Sequence, residues 1–388
     1  MNPLPPGNSR GPLVFISACE PSADMHAAGL IRAVGKLRPE VRFMGVAGPA
    51  MRAAGCDGIF DMTAHSAMLL GAVRAVAPAC KLLAATKRHL REQPFAAAVV
   101  VDSPTLNLRI ARQAKRCGIP VLYFIAPQLW AWGAFRIRRV RRRVDRMAVI
   151  LPFEEEYFRD RHVDATYVGH PLFDSLAQRP PSSDGVTSIR KQGGPVVALL
   201  PGSRLHVVQE VLPGQLELAG RILARFPDAH VGVSVANPVV RAAVESHVAA
   251  SGLPIAAYQD RNDDLLTAAD LALVASGTAT LEVAYRHTPM IVMYNASRWA
   301  YRLIGRWLIR TRHLSLVNIL AGRELVPEFM PYYTSTRPIA DRAIALLCDP
   351  EARRSMSNQL AALIDPLVKT GAPENTAQIL LQMIDNAG

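Results

Sequence analysis

The feature that most constrains this chain is a series of short, continuously apolar, β-rich runs, each ending in a polar loop and followed by a helical stretch. Residues 12–18 (PLVFISA), 41–48 (VRFMGVAG), 95–102 (FAAAVVVD) and 119–126 (IPVLYFIA) form one series. Residues 196–203 (VVALLPGS), 230–236 (HVGVSVA), 253–258 (LPIAAY), 271–276 (LALVAS) and 289–294 (PMIVMY) form a second. A strand with one wet face alternates apolar and polar residues; these do not, so both faces are covered, as in a parallel sheet flanked by helices. Between the two series, residues 178–195 (QRPPSSDGVTSIRKQGGP) are rich in Pro, Gly and Ser and read as a linker. A length of 388 residues suits two domains, each with its own core. The reading is α/β: doubly wound domains at 1–178 and 196–370, a linker at 179–195, and a C-terminal helix within 371–388.

Ligands of such sheets sit at the carboxyl ends of the strands, which singles out four loops: 19–24 (CEPSAD), 102–107 (DSPTLN), 201–204 (PGSR) and 276–282 (SGTATLE). In the last two, a strand runs into Gly and small hydroxyl residues and then a helix. Glycine lets backbone amides approach a phosphate, and a helix N-terminus favours negative charge. Arg204 adds a planar fork for phosphate oxygens. The same turns also serve as plain helix caps. With no Walker lysine and no GxGxxG, the pair points to a nucleotide diphosphate that is neither ATP in a P-loop nor NAD. In the first half the acids are Glu20, Asp24 and Asp102. A carboxylate at the sheet edge can serve as a general base, while Asp24 and Asp102 equally suit caps of the following helices; Asp102 favours the base because Ser103 and Pro104 already start a helix.

Two basic stretches stand apart. Seven arginines crowd into residues 136–146, among them Arg141, Arg142 and Arg143, between an aromatic segment (126–132, APQLWAW) and an apolar one (147–153, MAVILPF). They face either water or an anionic partner. Farther on, Arg298, Arg302, Arg306 and Arg310 recur every four residues beside Trp299 and Trp307, the pattern of a helix lying on a membrane surface. The formal net charge of +12 suits nucleic acid, an anionic membrane or phosphorylated substrates. The arginine run has no interleaved aromatics, which argues against nucleic acid. Five scattered cysteines form no CxxC pair and read as reduced thiols rather than a zinc site. No secretory leader and no run of 18 apolar residues is apparent, so the expected location is cytoplasmic and soluble or peripheral.

Several segments together resemble the lipid-A-disaccharide synthase family: 29–51, 125–158 (IAPQLWAWGAFRIRRVRRRVDRMAVILPFEEEYF), 168–174 (VGHPLFD), 199–204 (LLPGSR), 275–284 (ASGTATLEVA) and 315–329 (SLVNILAGRELVPEF). The resemblance implies two Rossmann-like domains facing a cleft, the glycosyltransferase architecture called GT-B. It also implies transfer of 2,3-diacylglucosamine from UDP-2,3-diacylglucosamine to the 6-hydroxyl of 2,3-diacylglucosamine 1-phosphate. The products are a β-1,6 disaccharide and UDP, formed without a metal at the cytoplasmic face of the inner membrane. Position by position, Glu20, Ser22 and Asp24 match the family's first acidic loop and Asp102 its essential aspartate. Ser203 and Arg204 match the phosphate contact. Ser276, Gly277 and Thr278 lie in the matching UDP loop, Glu282 at the ribose position, and Asn318, Arg323 and Glu324 in the last block. The family's exchange of its C-terminal region makes a homodimer an expectation. Departures fall at Cys19 and Ala23, where the family has glycines, and at Leu69, Ala72, Thr105 and Val207. Alternatives are a related transferase with another acceptor, or a membrane-surface protein without activity; keeping Glu20, Asp102, Arg204, Glu282 and Asn318 together argues against the latter.

Overall fold

The computed structural model describes residues 11–62, 76–131, 133–295 and 312–386. The chain divides into two compact units, residues 1–174 with 369–388, and residues 175–368. The first unit is built on a parallel sheet of seven strands: β1 (Leu13–Ala18), β2 (Arg42–Val46), β3 (Cys56–Phe60), β4 (Phe95–Val101), β5 (Val121–Phe124), β6 (Arg146–Val149) and β7 (Ala165–Tyr167). Their order is β3-β2-β1-β4-β5-β6-β7. The second carries six parallel strands, β8 (Val196–Leu200), β9 (His230–Val235), β10 (Ile255–Gln259), β11 (Leu271–Ala275), β12 (Met290–Met293) and β13 (Glu328–Phe329), in the order β10-β9-β8-β11-β12-β13. Every strand pairing recorded is parallel, and β1, β8, β9 and β11 are buried along their whole length. That burial is why these runs are apolar without alternation. In each sheet the order reverses once, between β1 and β4 and between β8 and β11. Such a switch point opens a crevice at the carboxyl edge.

Three boundaries differ from the sequence reading. The loop after β1 is short, because α1 (Pro21–Leu37) starts at Pro21, a residue whose fixed φ suits a first helical turn. Residues 179–195 are not a free linker. They contain a helix (Ser183–Arg190) capped by the Ser182 hydroxyl, which accepts the Gly185 N–H at 3.3 Å. That helix belongs to the second unit: the Ser182 N–H donates to Asp264 at 2.7 Å, and Ile189 is buried. The division falls instead beside Asp174 and again at Val368.

The C-terminal helix (Ala372–Asp385) packs on α1 of its own chain, where Ala377, Ile379, Leu380, Met383 and Ile384 complete the core that β1 and α1 begin. Its entry is held by the Asp174 carboxylate, which accepts the N–H groups of Gly371 and Ala372 at 2.5 and 3.0 Å. Its exit is marked by an Arg38–Asp385 ion pair at 2.7 Å, a partly exposed contact that adds little. Apolar burial therefore holds this helix. Leu380 is fully buried, so Leu380→Ala is expected to lower unfolding free energy by about 2–5 kcal/mol in denaturant titration.

Candidate functional site

At the carboxyl edge of the first sheet, β4 ends and the chain turns into a helix, α4 (Pro104–Arg116 in the order α1, α2 for Pro49–Ala53, α3 for Val76–Glu92). The turn is made by two successive non-glycine residues in the left-handed region, Asp102 at φ 50° and Ser103 at φ 44°. Next to them β5 leads into Ile125 at φ 63°, which for a β-branched residue is an outlier. Left-handed backbone costs an L-residue roughly 1–2 kcal/mol. Such strain persists only where surrounding contacts over-determine it, and it gathers at functional sites.

The contacts here are specific. The Asp102 N–H donates to the Phe124 carbonyl at 3.1 Å. The Asp102 carbonyl accepts from the Tyr123 hydroxyl at 2.7 Å and from Asn107 Nδ2 at 2.8 Å. The same Asn107 nitrogen donates to the Val101 carbonyl at 2.7 Å, while Asn107 Oδ1 accepts the Ser17 hydroxyl of β1 at 2.8 Å. Ser103 Oγ donates across to Glu20 Oε1 at 3.1 Å, which ties the loops after β1 and β4 together over the switch point. Asp102 and Glu20 are both partly exposed at this edge. Cys19 is buried beside Asn107, and burial pushes its thiol up to about 12, so it stays neutral.

The other residues of the first acidic loop divide. Ser22 is exposed on the first turn of α1. Asp24 is buried, and its carboxylate accepts the N–H groups of Gly48, Ala50 and Met51 at 2.9, 2.8 and 3.2 Å. It does not cap its own helix; with three N–H donors it fixes the start of α2, so the catalytic expectation for it gives way to a structural one. Neither Cys19 nor Ala23 has positive φ, so the side chains that replace glycine there cost no backbone strain.

At the carboxyl edge of the second sheet, the two candidate phosphate loops flank the switch point between β8 and β11. Each turns on a glycine that no other residue replaces cheaply, Gly202 at φ 107° and Gly277 at φ 143°. Ser203 and Arg204 are exposed, and Arg204 has no ion pair or hydrogen bond among the described residues. It precedes a helix of 21 residues (Leu205–Arg225), whose N-terminus adds its own positive field. Asn237 donates from Nδ2 to the Ser203 carbonyl at 2.9 Å and so fixes the loop's outline. In the other loop Ser276 is half-buried, Gly277 and Thr278 are exposed, and Thr280 Oγ1 donates back to the Gly277 carbonyl at 2.8 Å. Glu282 lies in the helix that follows, Ala279–Tyr285. Burial raises the pKa of its carboxyl, with Arg179 opposing, and it has no hydrogen-bond partner among the described residues.

In the last block, Asn318 is fully buried. Its Nδ2 donates to the Val326 carbonyl and to Glu328, and its Oδ1 accepts the Leu325 and Val326 N–H groups, all at 2.8–3.0 Å. A carboxamide offers two donors and two acceptor sites, so Asn318 has nothing left for a nucleotide. It shapes the loop that presents Arg323 and Glu324, both exposed, with Arg323 donating to Gln359 at 2.8 Å.

The arginine run is also redistributed. Arg138, Arg139, Arg141 and Arg142 are exposed, but Arg143 donates to the Leu108 carbonyl at 2.9 Å and Arg146 pairs with Asp164 at 3.2 Å. Arg141, Arg142 and Arg143 immediately precede β6, which puts them at the amino edge of the sheet, opposite Asp102. Trp299, Arg302 and Arg306 lie outside the described residues. Among the described residues, no helix is long and apolar enough to cross a membrane, and no group of three or more His, Cys, Asp and Glu side chains is placed to hold a metal ion.

Sequence reasoning passed over Ser17, Asn107, Tyr123, Glu154, Gln215 and Asn237. The signal for two of them was a polar side chain inside an apolar strand, Ser17 in LVFISA and Tyr123 in VLYF. Glu154 is the other buried acid of this edge. Its carboxylate accepts the Trp130 indole N–H at 2.9 Å and the Leu151 and Ile150 N–H groups at 3.1 and 3.3 Å. It thereby pins the loop after β5 to the loop after β6, with Trp130 edge-on to Phe153.

A family model described as lipid-A-disaccharide synthetase matches residues 14–382. The lipid-A-disaccharide synthase of Myxococcus xanthus (strain DK1622) is 35% identical over 379 residues, which cover 96% of this chain and 98% of that protein. Among solved structures, the glycotransferase of kitacinnamycin has a TM-score of 0.58 at 14% identity, covering 97% of this chain and 100% of the other. UDP-GlcNAc 2-epimerase from Neisseria meningitidis, bound to UDP-GlcNAc, has a TM-score of 0.56 at 12% identity, covering 96% and 99%. Likeness at these identities is one of fold.

Burial, opposed by its three hydrogen bonds, raises the Glu154 carboxyl from its usual 4.5 to about 7. A folded-state pKa above the unfolded one means that this contribution to stability is whole below pH 4.5 and is lost as pH rises through about 7. Glu154→Gln removes the titration. Relative to that variant, the natural chain is expected to lose on the order of a few kcal/mol between those limits, read by denaturant unfolding at each pH.

Proposed function

The chain belongs to the lipid-A-disaccharide synthetase family, and we propose that it moves 2,3-diacylglucosamine from UDP to the 6-hydroxyl of 2,3-diacylglucosamine 1-phosphate. It is a glycosyltransferase of lipid A biosynthesis, with two Rossmann-like domains of the GT-B type. What carries the finer reading is placement: all four loops with candidate chemistry flank the two switch points, where open α/β sheets hold ligands.

In this reading the second sheet takes the nucleotide. The amides around Gly202 and Gly277, the hydroxyls of Ser203 and Thr278 and the guanidinium of Arg204 meet the pyrophosphate. Glu282, partly desolvated and without a hydrogen-bonded partner among the described residues, receives the ribose hydroxyls. Arg323 and Glu324 stand on the neighbouring loop that Asn318 shapes. The first sheet supplies the base. Asp102 takes the proton of the acceptor 6-hydroxyl as that oxygen attacks the anomeric carbon, and the bond to UDP breaks on the opposite face, inverting the centre. Charge building on the leaving pyrophosphate is met by Arg204 and fixed backbone dipoles, so a metal is not needed for that step. Glu20 orients the Asp102 turn through Ser103.

Turnover of the two lipid substrates, followed by UDP release and disaccharide formation, is expected to proceed in EDTA. Asp102→Ala is expected to lower kcat by about 10²–10⁴-fold, and Arg204→Ala to weaken UDP binding in calorimetry. Full turnover by Asp102→Ala would exclude it as the base.

Both substrates carry acyl chains, so the reaction belongs at a membrane surface. The exposed arginines at 138, 139, 141 and 142, with Arg112 and Arg116 nearby on α4, suit an anionic face of that membrane. Arg141→Ala with Arg142→Ala is expected to reduce cosedimentation with phosphatidylglycerol vesicles while leaving stability unchanged. Arg143 is left in place, because its guanidinium holds the Leu108 carbonyl. Undiminished vesicle binding would return these side chains to the role of a solvated surface.

A further inference from the structure

We propose that Tyr123 and Asn107 are positioning residues for the Asp102 carboxylate, and that their two donors hold the Asp102–Ser103 step in its left-handed turn. The inference rests on the reading of Asp102 as the base. It concerns how the direction of that side chain is set.

Every polar group of the Asp102 backbone is held, by two neighbouring elements. The N–H goes to Phe124 of β5, and the carbonyl takes one donor from Tyr123 of β5 and one from Asn107 of α4. A carbonyl has two lone pairs, and both are engaged here. The donors themselves cannot be exchanged for water, since Tyr123 and Asn107 are fully buried. Burial also raises the pKa of the Tyr123 hydroxyl well above its usual value, so it remains a donor throughout the working range of pH.

The orientation of the Asn107 carboxamide has one solution. Its oxygen accepts from Ser17 at 2.8 Å while its nitrogen serves the Val101 and Asp102 carbonyls. Turned by half a rotation, it would aim its oxygen at two carbonyls. The two carbonyls and the Ser17 hydroxyl together set Asn107, Asn107 and Tyr123 set the Asp102 carbonyl, and the Asp102 backbone sets where its carboxylate leaves the sheet.

A turn needed only to start a helix would not be built this way. Ser103 stands at the N-cap of α4, yet its hydroxyl makes no capping bond and reaches instead to Glu20 at 3.1 Å. An extended cap residue with a side-chain bond to the first turn is the cheaper start. The chain takes two left-handed residues in succession and three buried polar side chains to hold them, an arrangement that fits a side chain whose direction matters.

Tyr123→Phe tests this, because it removes one donor, keeps the ring and leaves no new buried polar group. The full chain is assayed with both lipid substrates. The expected result is a fall in kcat of about tenfold or more, with KM for the UDP-sugar within about twofold, since the nucleotide is taken by the second sheet. A crystal structure of the variant is expected to show Asp102 and Ser103 leaving the left-handed region. Ser17→Ala, which removes the donor that seats Asn107 Oδ1 and so loosens the amide that serves the Asp102 carbonyl, gives the same two readings in the same direction if Tyr123→Phe does not fold. A folded variant that keeps φ near 50° and 44° and turns over at the natural rate overturns the proposal. If the natural chain itself shows no turnover, the base assignment fails. The backbone conformation of the variant then decides the positioning role alone, retained left-handed geometry overturning it.

Discussion

The structure depends on a buried carboxamide at each switch point. Where the strand order of a doubly wound sheet reverses, two neighbouring parallel strands send their following helices to opposite faces, and here a side-chain amide reaches strand carbonyls at that point. In the first sheet Asn107 donates to Val101 and Asp102, at the end of β4, and accepts from Ser17 in β1. In the second, Gln215 donates to Leu200 of β8 at 3.2 Å and to Leu273 of β11 at 2.8 Å. Both side chains are fully buried. A buried carbonyl left unpaired costs about 1–3 kcal/mol, so a carboxamide that serves two of them offsets that cost, in full at Asn107, whose oxygen is paired too, and less at Gln215, whose Oε1 is buried without a partner among the described residues. The two sheets thus solve the same topological problem with the same functional group, taken once from the helix after β4 and once from the helix after β8.

What the two edges present differs, and the backbone shows why. On the second sheet the turns are made by Gly202 and Gly277, where in the proposed reading the useful groups are amides close to a phosphate and a side chain would obstruct them. On the first sheet the left-handed positions are held by Asp102 and Ser103, where in the same reading the useful group is the side chain itself. A left-handed aspartate is strained and needs the neighbours that Tyr123 and Asn107 provide. A left-handed glycine is not, and its loop needs only the outline that Asn237 fixes through the Ser203 carbonyl.

The strands were legible in the sequence because burial on both faces removes polar residues from them, and nine apolar runs match strands to within three residues at either end. The order of those strands was not legible, since nothing in a run such as LALVA says that it lies beside VVALL rather than beside β10, the strand that precedes it in the chain. The loops were therefore found before their pairing was. Asp24 and Asn318 sat in segments rich in candidate chemistry, yet both saturate backbone groups within their own unit; a motif records what a loop needs to fold as well as what it binds. The Pro, Gly and Ser content of residues 179–195 suggested a linker. There the buried Ile189 and the Ser182 cap, two residues among seventeen, outweighed composition.

The arginine run shows how topology limits electrostatics. Residues that immediately precede a strand of a parallel sheet stand at its amino edge, whatever their charge. Between Arg143 and the loop at the other end lies β6, four residues long, a span of about 13 Å at roughly 3.3 Å per residue. The Debye length at physiological salt is about 8 Å, so exposed charges at one edge are largely screened at the other. Arg143, moreover, already sits in the field of Arg112, Arg139 and Arg116, which together with burial lower its pKa. Like charges gathered at that cost lie at the far edge from Asp102, so in the proposed reaction the phosphates fall to the glycine turns and Arg204 rather than to the arginine run.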